Sequence, residues 1–483
     1  MHNQQAAPAT AGRTAVIEIV NPATEKIVGD VVNHHQQECD RAVETSAAAQ
    51  RQWAALPGEA RSQLLWKWGE LVEAHHQEIA ELDVRCTGKN LPDALMESHR
   101  GARHARYWAG RADKLFGQQL ADVPGRLSYS VLEPLGVYVV ILPWNAPAHS
   151  FMARVTPALA CGNSVVVKPS ELSPLSAVRL AELAEEAGVP AGVLTVVTGD
   201  GATGAALCAH PGVAGVSFTG SVPTGRAIAH AAADTFKKLT LEMGGKSPIV
   251  VFDDADLDSA ARAAVLGILV NAGQICAASS RLIVHADIAE QFVEEVRERM
   301  TRVTVGDPTT KGTMVGPLVS RGQYEKVLGM LKEAQADGAR ALTGGGAHDA
   351  ESPGFYVQPT LLDGVRPDMR ISSEEVFGPV LTVQTFTTEA EATELANAGE
   401  LGLSSYVWTR DMGRMIRMTQ AIDAGVVHGN TPLVMDSGLP FGGFKDSGLG
   451  GAYGEDAVAG CTRTKRVTLR VADTPLPSPW PGI

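Results

Sequence analysis

Three residues of this chain, a cysteine, a carboxylate and an amide, have side chains that could do chemistry. Cys276 lies in NAGQICAASSR, with small residues on both sides, and its thiolate would be a nucleophile. Glu242, in LTLEMGGKSP, ends an apolar strand-like run just before a Gly-Gly turn. A carboxylate held in a cleft at such a place acts as a general base. Asn145, in ILPWNAP, follows another strand-like run, and its amide can donate to an oxyanion. Each also has an ordinary reading: an inert core cysteine, a solvated loop acid, an amide that closes a turn. Cys39, Cys86, Cys161, Cys208 and Cys461 are scattered and form no C-x-x-C with any other cysteine, so neither a disulfide framework nor a metal site is expected.

Two glycine loops compete as a phosphate cradle. GDGATG at 199–204 fits G-x-G-x-x-G after an apolar strand. About twenty residues further on stand Phe218 and Thr219, with no acid to hold a ribose hydroxyl, so a tight strand-to-helix turn is the better reading. The second loop, FTGSVPTG at 218–225, opens the helix-like RAIAHAAADTF. Gly220 and Ser221 there would offer backbone N–H groups and a hydroxyl at a helix N-terminus, a ready anion site.

The elements that must position these residues follow from periodicity. Residues 37–117 carry apolar side chains at spacings of three and four, the helical pattern. RLSYSVLEPLGVYVVILP switches to strand-like content, with Glu133-Pro134 marking a bend or an edge. Beyond Pro143, short apolar runs such as SVVVK, GVLTVVTG and GVSFTG alternate with helical stretches, which predicts a doubly wound parallel sheet. A second series begins near Ser247 with SPIVVF. KRVTLRV reads as a further strand, the Pro-rich end as an irregular tail, and the first dozen or so residues as a mobile leader. With 45% hydrophobic and 20% charged residues, the composition excludes disordered and fibrous classes. The formal charge of −13 argues against nucleic acid and anionic membrane as partners. No apolar run approaches the ~18–20 residues a membrane span needs, and no signal-like stretch opens the chain, so the expected location is the cytoplasm.

Taken together, the motifs resemble the NAD(P)-dependent aldehyde dehydrogenase superfamily, over almost the whole chain. The blocks stand in family order: NPAT at 21–24, PWN at 143–145, KPSE at 168–171, FTGS at 218–221, LEMGGKSP at 241–248, GQIC at 273–276, EEVFGPV at 374–380 and PFGGFKDSG at 440–448. The resemblance implies Cys276 as nucleophile, Asn145 and the Cys276 N–H as oxyanion donors, and Glu242 as the base that hydrolyses a thioester. Acylating members, which pass the acyl group to coenzyme A, typically lack this glutamate, so its presence favours hydrolysis. The rival readings are a non-catalytic member of the same fold and a coenzyme A-acylating one.

For the cofactor, the resemblance implies NAD, with NADP as the alternative. Lys168 and Glu171 resemble the pair that contacts the adenosine ribose, and Gly220, Ser221 and Gly225 the pyrophosphate-contacting start of a helix. Glu375 and Phe377 resemble the residues around the nicotinamide and its ribose, and Trp144 a residue lining the cofactor cleft. The implied fold is α/β: a Rossmann-like cofactor domain at 1–122 and 143–244, an α/β catalytic domain at 245–447, and a small β oligomerisation element with the tail at 123–142 and 448–483. A homodimer or homotetramer acting on a small-molecule aldehyde is expected.

In register with PWN, the substrate tunnel would include His149, Phe151 and Ala153, with Ile275 beside the nucleophile and Met435 and Phe441 from the loop around PFGG. Most of this set is apolar. ESHRGARHARYW is the exception: Arg100 falls at a tunnel-facing register, with Arg103 and His104 nearby. It reads either as a solvated basic face or as a cation receiving a carboxylate or other polar tail. Three departures from the family pattern touch supporting residues: Arg154 in place of a lysine, LGLSSYVW without its usual tyrosine, and GLGGAYGED without the common Arg-Glu.

Overall fold

The computed structural model describes residues 16–121, 124–349, 353–471 and Trp480. The expected leader and most of the Pro-rich tail lie outside these residues. Two sheets dominate. The first has six strands, in spatial order Gly448–Leu449, Lys238–Glu242, Gly215–Thr219, Val137–Ile141, Ser164–Lys168 and Leu194–Val196. All neighbours run parallel except the short Gly448–Leu449 strand. These strands are Val-rich and almost wholly buried, as a sheet covered on both faces requires. The second sheet has seven strands; its centre is Val380–Phe386, Ser279–His285, Ser247–Val251 and Ser404–Trp408. Both α/β units expected from strand–helix alternation are therefore present.

The chain leaves Val137–Ile141 toward Ser164–Lys168 but leaves Gly215–Thr219 toward Lys238–Glu242, on the opposite side. The crevice at such a reversal, beyond the carboxyl ends of the strands, is where open α/β sheets bind ligands. The register brings Ile141 level with Lys168 and Phe218, and Thr219 level with Glu242. Sequence-distant site residues thereby share one edge of the sheet.

Val137–Ile141 corrects the expected boundaries. The sequence pattern groups it with 123–142 in the oligomerisation element, yet it is an inner strand of the first sheet. Only Arg126–Pro134 forms the arm, paired antiparallel with Thr462–Arg470. The break is Leu135-Gly136, where Gly136 has φ +132° and the Asn163 side chain accepts from both N–H groups. Residues 448–461 also belong with the first lobe, through Gly448–Leu449 and the helix Gly454–Cys461, whose Cys461 carbonyl accepts from Asn163.

Two helices carry the substrate side. Leu91–Ala109 is capped by Asn90, which accepts from the Asp93 N–H at 2.9 Å, with Pro92 in the first turn. Pro147–Ala160 starts on Pro147 directly after the Asn145 loop and is almost wholly buried. Beneath them Trp53, Trp68 and Trp108 are fully buried. The first two place their indole N–H groups on the Leu159 and Leu180 carbonyls, at 2.9 and 3.0 Å. Among the described residues no helix is long and apolar enough to cross a membrane.

Candidate active site

Cys276 sits on a loop between the helix Leu257–Leu269 and the strand Ser279–His285. Three successive residues before it, Asn271, Ala272 and Gly273, have φ of 51°, 55° and 74°. Two of these are not glycine, so the left-handed backbone is strained and must be held from outside. The Asn271 side chain donates to the Asn145 and Gln274 carbonyls at 3.0 and 3.2 Å, and Gln274 Nε2 returns to the Asn271 carbonyl at 3.0 Å. Gln274 Oε1 accepts from the Val319 N–H, and the Ala277 carbonyl from the Tyr406 hydroxyl. A Cβ on Gly273 would lie 2.1 Å from the Gly378 carbonyl oxygen, so only glycine fits there.

Asn145 ties the first lobe to this loop. Its Nδ2 donates to the Gln274 carbonyl at 2.8 Å, which leaves the second amide hydrogen for another acceptor. The Cys276 N–H has no hydrogen-bond partner among the described residues. The residue is half-buried, and desolvation, then Glu375 and Glu242, push its thiol up to about 12. A base must therefore remove its proton before it can attack.

Glu242 ends its strand almost fully buried, and neither carboxylate oxygen accepts a hydrogen bond of good geometry among the described residues. Arg154 Nη1 stands 4.0 Å away, an ion pair too long for a hydrogen bond. Burial raises the carboxyl to about 7, against the pull of Arg154. Glu375 accepts from the Gly245 N–H at 3.0 Å and is likewise raised to about 7, burial being the main cause. A Cβ on Gly244 would lie 2.1 Å from a Glu375 oxygen, which explains one glycine of the pair. Two carboxyls near neutrality beside one thiol are suited to moving protons at physiological pH.

The cofactor positions gather along the carboxyl edge of the first sheet. Lys168 is buried at its strand end, with Nζ 3.0 Å from Glu171. Ser221 caps the helix Val222–Ala233, and Gly225 packs against Met243, where a Cβ would come within 2.9 Å of the sulfur. The competing GDGATG turn is filled by its own acid: Asp200 caps the helix Gly201–Ala209 and is held by Asn33. A carboxylate there repels phosphate, so the second glycine loop is the better cradle. Trp144 meets Phe377 edge-on at 5.2 Å, and Phe377 holds φ at +57°. A cradle without an acid, a lysine donor beside a glutamate acceptor and an aromatic cleft wall together fit a dinucleotide.

Of the substrate positions, Ala153, Ile275, Met435 and Phe441 form one cluster with Cys276, joined by Ala277, Leu403, Leu433 and Tyr453. His149 faces Tyr453, with Nε2 3.2 Å from its hydroxyl. Phe151 is corrected: it is fully buried and meets Trp68 edge-on at 6.2 Å in the core of the first lobe. His149 and Ala153 are four residues apart and share a helix face, whereas Phe151, two residues from each, points the other way. Sequence reasoning missed Tyr453, whose position is fixed only by distant contacts. It also missed Lys246, buried without a hydrogen-bond partner for Nζ among the described residues and pushed down to about 7 mainly by burial. Their only sequence signals are their places in the LEMGGKSP and GLGGAYGED blocks.

Comparison with known proteins agrees with this geometry. The model of the aldehyde dehydrogenase family matches residues 9–467. A 4-trimethylaminobutyraldehyde dehydrogenase from Oryzias latipes is 39% identical over 459 residues, covering 94% of this chain and 91% of the relative. Among solved structures, a putative aldehyde dehydrogenase from Burkholderia cenocepacia superposes with a TM-score of 0.94 at 38% identity, covering 96% of both chains. PnpE in complex with nicotinamide adenine dinucleotide gives 0.94 at 38% identity, covering 96% of this chain and 95% of its own. The chain belongs to the aldehyde dehydrogenase family, as its motifs imply.

Proposed function

We propose that this protein oxidises an aldehyde to its carboxylic acid with NAD, through a thioester on Cys276 that is hydrolysed rather than passed to coenzyme A. The Cys276 thiolate attacks the carbonyl carbon, and the oxyanion is held by the Asn145 amide and the Cys276 N–H. Bound NAD supplies the nicotinamide that accepts the hydride. Glu242 then takes a proton from water, the hydroxide adds to the thioester carbon, and the thiolate leaves with the acid as product. The observation that carries this reading is the buried carboxylate of Glu242, raised to about 7 by burial and close enough to Cys276 to raise its thiol. Lys168, Glu171, Gly220, Ser221, Gly225, Trp144, Glu375 and Phe377 hold the cofactor. Glu171 beside Lys168 opposes a 2′-phosphate by charge, so NAD is preferred to NADP.

The arm supports assembly into at least a homodimer. Its strand Thr462–Arg470 is largely exposed, and Leu469 and Val471 stand 45% and 60% exposed. An isolated two-stranded ribbon is marginal in water, and its open edge invites a second chain. Among the described residues every cysteine is free, in keeping with the reducing cytoplasm.

Three outcomes are expected. Cys276→Ala abolishes NADH formation while NAD still binds, measured at 340 nm and by calorimetry; turnover near wild type would assign the attack to another residue. Glu242→Gln gives a stoichiometric burst of NADH followed by slow turnover, because acylation continues while hydrolysis stalls. An unchanged steady-state rate would remove Glu242 from the mechanism. Truncation after Thr462 lowers both the sedimentation coefficient and the melting temperature, whereas a fully active, stable monomer from the intact chain would contradict the assembly.

A further inference from the structure

The walls around Cys276 are apolar on one side and basic on the other. Ala153, Ala277, Leu403 and Phe441 form the apolar part. Tyr453 is where the character changes. One edge meets Phe441 at 6.1 Å, its face stacks on His104 at 5.0 Å, and its hydroxyl reaches His149. His104 Nδ1 is 3.0 Å from the Ser437 hydroxyl, and His149 Nδ1 is buried with no partner. Arg100 lies one helical turn before His104 on Leu91–Ala109, on the same face.

The charged groups in this region differ in their bonded partners. Glu97 is paired with Lys89, Asp93 accepts from the Asn90 side chain at 2.9 Å, and Asp436 from the Gly438 N–H at 2.9 Å. Arg100, by contrast, makes no hydrogen bond or ion pair among the described residues, and Arg154 keeps Nη1 unbonded. The imidazoles register this field. Burial first, then Arg154, Arg103 and Arg100, holds His104 down to about 3, and burial with His104, Arg100, Lys89 and Arg154 holds His149 well below its ordinary value. Both rings are held toward the neutral form, and Arg100 stands beside them as a guanidinium with no bonded partner among the described residues, its nearest counter-charges being Asp93 and Glu97 on its own helix.

We infer that the substrate is an aldehyde whose far end carries a carboxylate, received by Arg100 beside the Tyr453–His149–His104 cluster. The inference rests on the aldehyde-oxidising reading and adds the substrate class. A carboxylate answers an unpaired guanidinium with a charge-assisted hydrogen bond, whereas a quaternary ammonium tail meets like charge. The apolar wall accommodates the methylenes between the two ends.

The test uses the full-length enzyme, NAD and three aldehydes of matched length ending in carboxylate, methyl or trimethylammonium. The carboxylated aldehyde should exceed the methyl homologue in kcat/KM by about ten- to a hundredfold, with the cationic one lowest. Arg100→Met should bring the carboxylate-to-methyl ratio toward one, and Arg100→Lys should restore part of it. A wild-type preference for the methyl or trimethylammonium aldehyde, or an equal loss on all three in Arg100→Met, overturns the inference. Thermal stabilisation by glutarate against pentanoate gives a second readout that needs no turnover. A larger shift with glutarate, lost in Arg100→Met, supports the carboxylate site; equal shifts overturn it. Absence of NADH with every aldehyde would instead count against the oxidation reading, while the two acids still decide the tail.

Discussion

The arrangement depends on one buried carboxylate that the fold leaves unbonded. Glu242 is almost fully buried, neither oxygen accepts a hydrogen bond of good geometry among the described residues, and only the Ala452 backbone N–H and the Arg154 guanidinium at 4.0 Å favour its charged form. An unpaired charge in such a place is costly, so the group holds its proton to about pH 7 instead of the ordinary 4.5. The sign follows: below that value it is a neutral acid, above it a poorly solvated base. Satisfying either oxygen with a hydrogen bond would lower the pKa and weaken the base. The surrounding glycines and the partial pairing with Arg154 are consistent with a site that keeps the carboxylate available rather than stable.

The second constraint is how the two lobes share one centre. Cys276 is carried by the second sheet, Asn145 and Glu242 by the first. The left-handed run Asn271–Gly273 is what turns the cysteine loop toward the first lobe, and its strain is met mainly by side-chain amides. Asn145 both donates to that loop and accepts from it, so the oxyanion donor and the nucleophile cannot drift apart without breaking two bonds. Relative lobe position, otherwise a soft coordinate, is thereby fixed where the chemistry requires it.

Much of this was legible in the residues. Val-rich runs separated by helical stretches announce two parallel sheets, and Cys276, Glu242 and Asn145 each lie in a motif block of the sequence. The misreadings have physical causes. Arg126–Pro134 and Val137–Ile141 form one continuous strand-like run, and nothing local says that Leu135-Gly136 sends the second half into another sheet. Phe151 was placed by its proximity to Asn145, although helical periodicity turns it toward Trp68. Tyr453 and His104 come from segments more than three hundred residues apart, and a stacked pair of that separation leaves no periodic trace. Arg100 was open between a solvated face and a ligand, because its lack of a partner is a property of the folded surroundings.

The central claim, that Glu242 is a desolvated base held near neutrality, is tested most directly by its own titration. Infrared difference spectra of enzyme labelled with carbon-13 at glutamate side chains, wild type minus Glu242→Gln, isolate this carboxyl. The account predicts a protonated C=O band that disappears with a midpoint near pH 7. A midpoint near the ordinary 4.5 would mean that the carboxylate is solvated or hydrogen-bonded in solution, and would contradict the account.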